Sequence, residues 1–262
     1  MNTLPLDLLP LWLYLPLVMA ISWLTLEAGY RLGRWRHAQA PEEKDAPVAA
    51  MAGAVLGLLA FMLAFTFGMA ASRFDARRQA VLEEAHALHT TYLRARLLAE
   101  PERSKLADLL RRYTQLRAQS PNSSNIAQLL AESEILQKQL WAQAIMVAEK
   151  DPNSAVTELF LESLNEVINL HSKRVFVGLY SRIPTTLWLA LLALTLLGMF
   201  TFGYQAGIAA TRRSLGMPIF TLAFASVLYL IIDLDRAHEG LMTVSQRAII
   251  DLSHAMQDDA PP

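Results

Sequence analysis

The amino-acid sequence predicts an all-α membrane protein: two transmembrane helices, a helical extramembrane insert, then two more transmembrane helices. Three observations carry that prediction. Four runs contain no charged residue, at 8–26, 48–72, 183–211 and 214–232. Between the second and third runs, residues 73–182 alternate charged and apolar side chains at helical spacing. No segment shows the period-two alternation of a strand.

The totals agree. Of 262 residues, 53% are hydrophobic and 18% charged, and the mean hydropathy is +0.27. The apolar residues fall in blocks, as in a chain that spans a bilayer. A net charge of −1 offers no bulk basic surface for nucleic acid. With no cysteine, the chain has no disulfide, no thiolate metal site and no cysteine nucleophile.

The first span is assigned to 8–30. Its uncharged run has no basic segment before it and no small-residue cleavage site after it, so it reads as a membrane helix rather than a signal peptide. Pro10 or Pro16 is expected to kink it. Trp12, Tyr14, Trp23 and Tyr30 suit the membrane interfaces. A polar link, Arg31 to Pro47, follows.

The second span, 48–72, has 25 uncharged residues and ends in Arg73, Asp75, Arg77 and Arg78. At about 1.5 Å per residue such a run crosses a hydrocarbon core of roughly 30 Å with some tilt. Its many small residues, among them Gly53, Gly57 and Gly68, predict close packing against other membrane helices.

The insert at 73–182 divides into four amphipathic stretches. The first buries Val81, Leu82, Ala85, Leu88, His89, Tyr92 and Leu93, and breaks at Glu100-Pro101. The second carries Leu106, Leu109, Leu110, Tyr113 and Leu116, and a loop at Ser120–Ser124 ends it. The third, 125–149, turns Ile126, Leu129, Leu130, Ile135, Leu136, Leu140 and Ile145 inward. The fourth, 154–181, has Asn153 or Ser154 as its cap. The third span is placed at 185–209, a tight turn at Thr211–Ser214, the fourth span at 214–233, and a C-terminal tail at 234–262. Basic residues number six on one face and eight on the other, which favours neither orientation.

Glu83, Glu84, His86 and His89 share helical spacing suited to metal ligands. No second Glu-x-x-His accompanies them, and the polar face of an amphipathic helix explains them as well. No metal or other cofactor is assigned. No nucleophile elbow, phosphate loop or dinucleotide motif occurs, so nothing supports an enzyme.

The segment Phe61-Met62-Leu63-Ala64-Phe65-Thr66-Phe67-Gly68-Met69-Ala70-Ala71-Ser72-Arg73-Phe74-Asp75 resembles the second membrane helix of bestrophins. The resemblance is closer to the bacterial bestrophin-like membrane family. It continues through TYLRARLLAEPERSKLADLLRRY and IIDLDRAHEGLMTVSQRAIIDL, in the same order along most of the chain. It implies an oligomeric ion channel of the bacterial inner membrane, with five identical subunits and with the insert and both termini cytoplasmic. Phe61 and Phe65 match the neck phenylalanines of an anion pore, and Arg73-Phe74 the pair at its exit. The third neck position falls on Gly57, which implies a wider constriction there. The calcium clasp of animal bestrophins is not present as such; Asp233, Asp235 and Glu239 only echo it.

Arg73, Arg77, Arg78, Asp233 and Asp235 are the charge candidates at a pore mouth. For the two aspartates a salt bridge to the Arg73–Arg78 cluster is the competing, structural role. The rival to a channel that passes inorganic ions is a non-conducting sensor or scaffold. Its insert would bind a partner or ligand while the spans anchor it in the lipid bilayer.

Overall fold

The computed structural model describes residues 9–39, 45–119, 125–209, 216–236 and 240–259. Among these it is all-helical: α1 (Leu11–Gln39), α2 (Asp45–Ala95), α3 (Glu102–Ala118), α4 (Ile126–Lys150), α5 (Ala155–Leu179), α6 (Thr185–Ile208), α7 (Gly216–Asp235) and α8 (Arg247–Asp258). Four of them, α1, α2, α6 and α7, are long and apolar enough to cross a membrane. The loop at 120–124, the turn at 211–214 and Glu239 lie outside the described residues, as does residue 8.

Helices form two compact units. The first takes the chain up to Ser72, then Arg182–Arg236 and Gly240–Met242; the second takes Arg73–Ser181 and the chain from Thr243. The sequence separates a membrane helix at 48–72 from an amphipathic helix after it, whereas α2 runs unbroken through 51 residues. No glycine or proline falls between Gly68 and Ala95 to interrupt the backbone ladder, and changing polarity alone does not stop a helix.

In the first unit, α1 packs most extensively on α6. Gly29 and Gly33 of α1 meet Gly203 and Gly207 of α6. A Cβ on Gly29 would overlap the Phe200 carbonyl, and one on Gly203 would overlap the Leu26 carbonyl. Both helices ascend in the same direction through this contact, since Gly29 meets Phe200 and Gly33 meets Tyr204, while Gly203 meets Leu26 and Gly207 meets Tyr30. Such spacing, small-xxx-small, lets backbones approach where lipid supplies no hydrophobic drive for association. α7 runs antiparallel to α1: Met217 at its start joins Leu26 and Tyr30, and Ile232 near its end joins Leu11 and Tyr14.

Of the small residues of α2, Ala52 is buried within the unit. A Cβ on Gly53, Gly57 or Gly68 would meet nothing within 4 Å. Pro16 lies inside α1 and Pro10 immediately before it.

In the second unit one apolar core joins the helices, built from Leu88, Tyr92, Leu106, Leu110, Leu140, Phe160, Leu164 and Val167 among others. Ser154 caps α5, its Oγ accepting from the Thr157 amide at 3.3 Å. Leu82, His89, Leu93, Ile135 and Ile145, expected inward, are exposed. Buried positions on α4 follow 129, 133, 136, 140, 144 and 147, a heptad-like seam that Ile135 and Ile145 miss.

Substituting Gly203 by Ala is expected to destabilise the protein by about 1–3 kcal/mol or more, the scale of forced overpacking. The check is a detergent-solubilised thermal melt, with Gly53→Ala as a comparison that places its methyl in open space. Equal melting temperatures for the two variants would contradict the α1–α6 contact.

Candidate functional site

On α2 the side chains divide by helical phase. Ala52, Leu59, Leu63, Thr66 and Ala70 are buried against the rest of the unit. The Thr66 hydroxyl donates to the Met62 carbonyl at 2.7 Å, so this inward hydroxyl is satisfied within the helix. Gly53, Gly57, Phe61, Phe65, Gly68 and Ser72 lie on the opposite, exposed face. Phe61 is 65% exposed and Phe65 53%. At about 100° per residue the step from Phe61 to Phe65 turns only about 40°, so both rings leave the helix together. The three sequence candidates Gly57, Phe61 and Phe65 thus share one face with no intrachain cover.

The basic residues that follow do not share one direction. Arg77 is buried, and its Nε donates to the Arg73 carbonyl at 3.3 Å. Arg73 is half-buried, whereas Arg78 and Asp75 are exposed.

Asp233 and Asp235 are also buried. Asp233 accepts from the backbone amides of Leu241 at 2.8 Å and Met242 at 3.2 Å. Gly240, at φ 142°, lets the chain turn back onto that carboxylate, where a Cβ would overlap Oδ1. Asp235 accepts from the Ile183 amide at 2.9 Å. Arg182 donates to the Asp235 carbonyl at 2.8 Å and lies 4.0 Å from its carboxylate. Arg236 donates to the Leu9 carbonyl at 2.6 Å and stands 5.1 Å over the Tyr14 ring. A carboxylate at a helix C-terminus opposes the helix dipole; here the backbone amides supply the compensation. These groups tie together the start of α1, the start of α6 and the end of α7.

The acidic and histidine candidates on the part of α2 that belongs to the second unit separate. Glu83 pairs with Lys173 at 2.6 Å, while His86 and His89 are exposed. Glu84 is fully buried between Arg117, at 2.9 Å, and Arg174. Arg174 also donates to Gln246 at 2.5 Å. Beside this cluster the Tyr113 hydroxyl and His171 Nδ1 lie 3.0 Å apart, and Gln137 donates to that hydroxyl at 2.9 Å. No group of three or more metal-ligating side chains forms among the described residues.

Burial pushes the Glu84 carboxyl up, but the two guanidiniums outweigh it and hold it below its ordinary value. Burial, with the Glu84 charge, pushes the Tyr113 hydroxyl up. Burial, with the charge of Arg117, brings His171 down to about 4. This polar core escaped the sequence reading. Its signal was present: Glu84 sits in phase between Val81 and Leu88, and Arg117 between Tyr113 and the end of α3.

The model of the Bestrophin-like domain matches residues 19–249. The chain belongs to the Bestrophin-like family. Among solved structures, a bestrophin homologue from Klebsiella pneumoniae carrying a point mutation superposes with a TM-score of 0.66 at 13% identity, over 95% of this chain and 98% of that one. Another crystal structure of a bestrophin homologue from Klebsiella pneumoniae, phased on zinc, gives 0.64 at 13% identity, over 95% and 99%. At such identities the likeness is one of fold. No curated protein matches this Bestrophin-like chain in sequence.

Replacing Glu84 by Gln leaves the Arg117 and Arg174 guanidiniums without their carboxylate and is expected to destabilise the second unit by about 3–5 kcal/mol. Hydrogen exchange of the α3–α5 amides in the full-length protein measures this. The same amides report pH dependence. The His171 ordinary value is 6.5 and its folded value about 4. Between these the unfolded chain binds more protons, so stability falls as pH drops through that window, by about 3 kcal/mol in all. His171→Gln is expected to flatten that slope; an unchanged slope would show that another group carries it.

Proposed function

We propose that this Bestrophin-like chain assembles with copies of itself into a multi-pass ion channel of the bacterial inner membrane. In that assembly α2 of each copy lines the conducting path. Phe61 and Phe65 form successive rings that narrow it, and Gly57 leaves it wider one turn away. In this reading, taken over from the family resemblance, the ring has five copies and the second unit faces the cytoplasm. Inorganic ions are the cargo.

One observation carries the reading. The α2 face bearing Gly53, Gly57, Phe61, Phe65 and Gly68 has no cover from its own chain, although it lies within a candidate span. Two large rings one turn apart on such a face suit a hydrophobic constriction that closes by excluding water, or one that meets anions at the positive ring edges. Asp233 and Asp235 serve in this reading as fasteners of the helix ends rather than as mouth charges. They are buried and hold backbone amides.

Flux from liposomes holding the purified oligomer, with chloride and potassium gradients applied separately, tests the proposal. Ion flux is expected, and Phe61→Ala combined with Phe65→Ala is expected to raise it several-fold. Equal flux through wild type and double mutant would remove the neck assignment. No flux from folded, oligomeric protein would overturn the channel and favour the sensor or scaffold.

A further inference from the structure

Among the charged residues that follow the candidate pore segment of α2, only one is close in phase to the phenylalanines and free of a partner. At about 100° per residue, and measured from the direction midway between Phe61 and Phe65, Asp75 leaves the helix about 60° away, Arg73 about 100°, Arg78 about 120° and Arg77 about 140°. Ser72 falls between Phe61 and Phe65 in phase and Gln79 coincides with Phe61, and both continue the exposed face on either side of Asp75 along the chain. The exposures agree with these angles: Asp75 is exposed, Arg73 half-buried and Arg77 buried. Glu83, further along the same face, is held by Lys173 at 2.6 Å. Among the described residues Asp75 makes no ion pair or hydrogen bond through its side chain. Asp233 and Asp235, the other acids considered for a mouth, are buried.

We infer that Asp75 sets the charge preference of the pore mouth, and that it favours cations. The inference rests on the channel reading above. In a ring of identical subunits Asp75 contributes one negative charge per copy at a single depth, one turn beyond Ser72. A ring of acids concentrates cations and depletes anions within about a Debye length, roughly 8 Å at physiological salt. The arginines, numerous in the sequence, turn to the flanks and back of the helix. The mouth is therefore less basic than the sequence Arg73-Phe74-Asp75-Ala76-Arg77-Arg78 suggests.

Reversal potentials of the full-length oligomer in planar bilayers under a potassium chloride gradient test this. Wild type is expected to pass potassium in preference to chloride. Asp75→Asn is expected to lower the potassium-to-chloride permeability ratio about fivefold, the effect of about 1 kcal/mol for one solvated charge at contact distance. Asp75→Glu should retain the wild-type ratio and Asp75→Lys should invert it. A wild type that prefers chloride would overturn the inference, as would currents whose reversal is the same in Asp75→Asn and Asp75→Lys. A larger change with Arg78→Gln than with Asp75→Asn would also overturn it, by moving the controlling charge to Arg78. Absence of current in the wild type itself would instead bring down the channel reading, and the inference with it.

Discussion

The contact of Gly29 and Gly33 with Gly203 and Gly207 is the constraint on which the membrane unit depends. In lipid, apolar side chains gain little by leaving one apolar medium for another, so close van der Waals packing decides which helices pair. Four glycines on two helices bring the α1 and α6 backbones to a distance that any Cβ would prevent. α7 then lies antiparallel along α1, with its last residues fixed by Asp233, Asp235 and Arg236. With α1, α6 and α7 bound to one another, α2 is needed on one face only. Its opposite face remains for something outside the chain.

The second unit uses a different principle. Its apolar core is ordinary, but five segments also converge on buried polar groups: Glu84 from α2, Tyr113 and Arg117 from α3, Gln137 from α4, His171 and Arg174 from α5, and Gln246 before α8. Burying a charge is costly unless it is paired and hydrogen-bonded. Glu84 meets that condition with two guanidiniums.

Most of the fold was legible because its signals are local. Four uncharged runs, the break at Pro101 and the cap at Ser154 each depend on a few neighbouring residues. Helix phase on α2 was legible for Phe61 and Phe65, which differ by one turn. What the sequence obscured depends on distant partners. Which glycines close a helix contact depends on what faces them, and Gly53, Gly57 and Gly68 look no different from Gly29 or Gly203 in one dimension. The run of arginines after Ser72 reads as a basic mouth until each residue is given its direction, when Arg77 turns inward and Asp75 outward. Glu84 likewise reads as part of a Glu–His face until Arg117 and Arg174 meet it.

The central claim is that the uncovered face of α2 lines a water-accessible path in the assembled protein. Because the chain has no cysteine, single substitutions can be labelled without background. Cysteines placed singly at Gly53, Gly57, Phe61, Phe65, Gly68 and Ser72, and at Ala52, Leu59, Leu63, Thr66 and Ala70, would be exposed to a charged, membrane-impermeant thiol reagent in reconstituted oligomers while ion flux is recorded. The account predicts labelling and block at the first set, with protection at the second. Labelling of both sets alike, or protection of Phe61 and Phe65 positions in conducting protein, would contradict it.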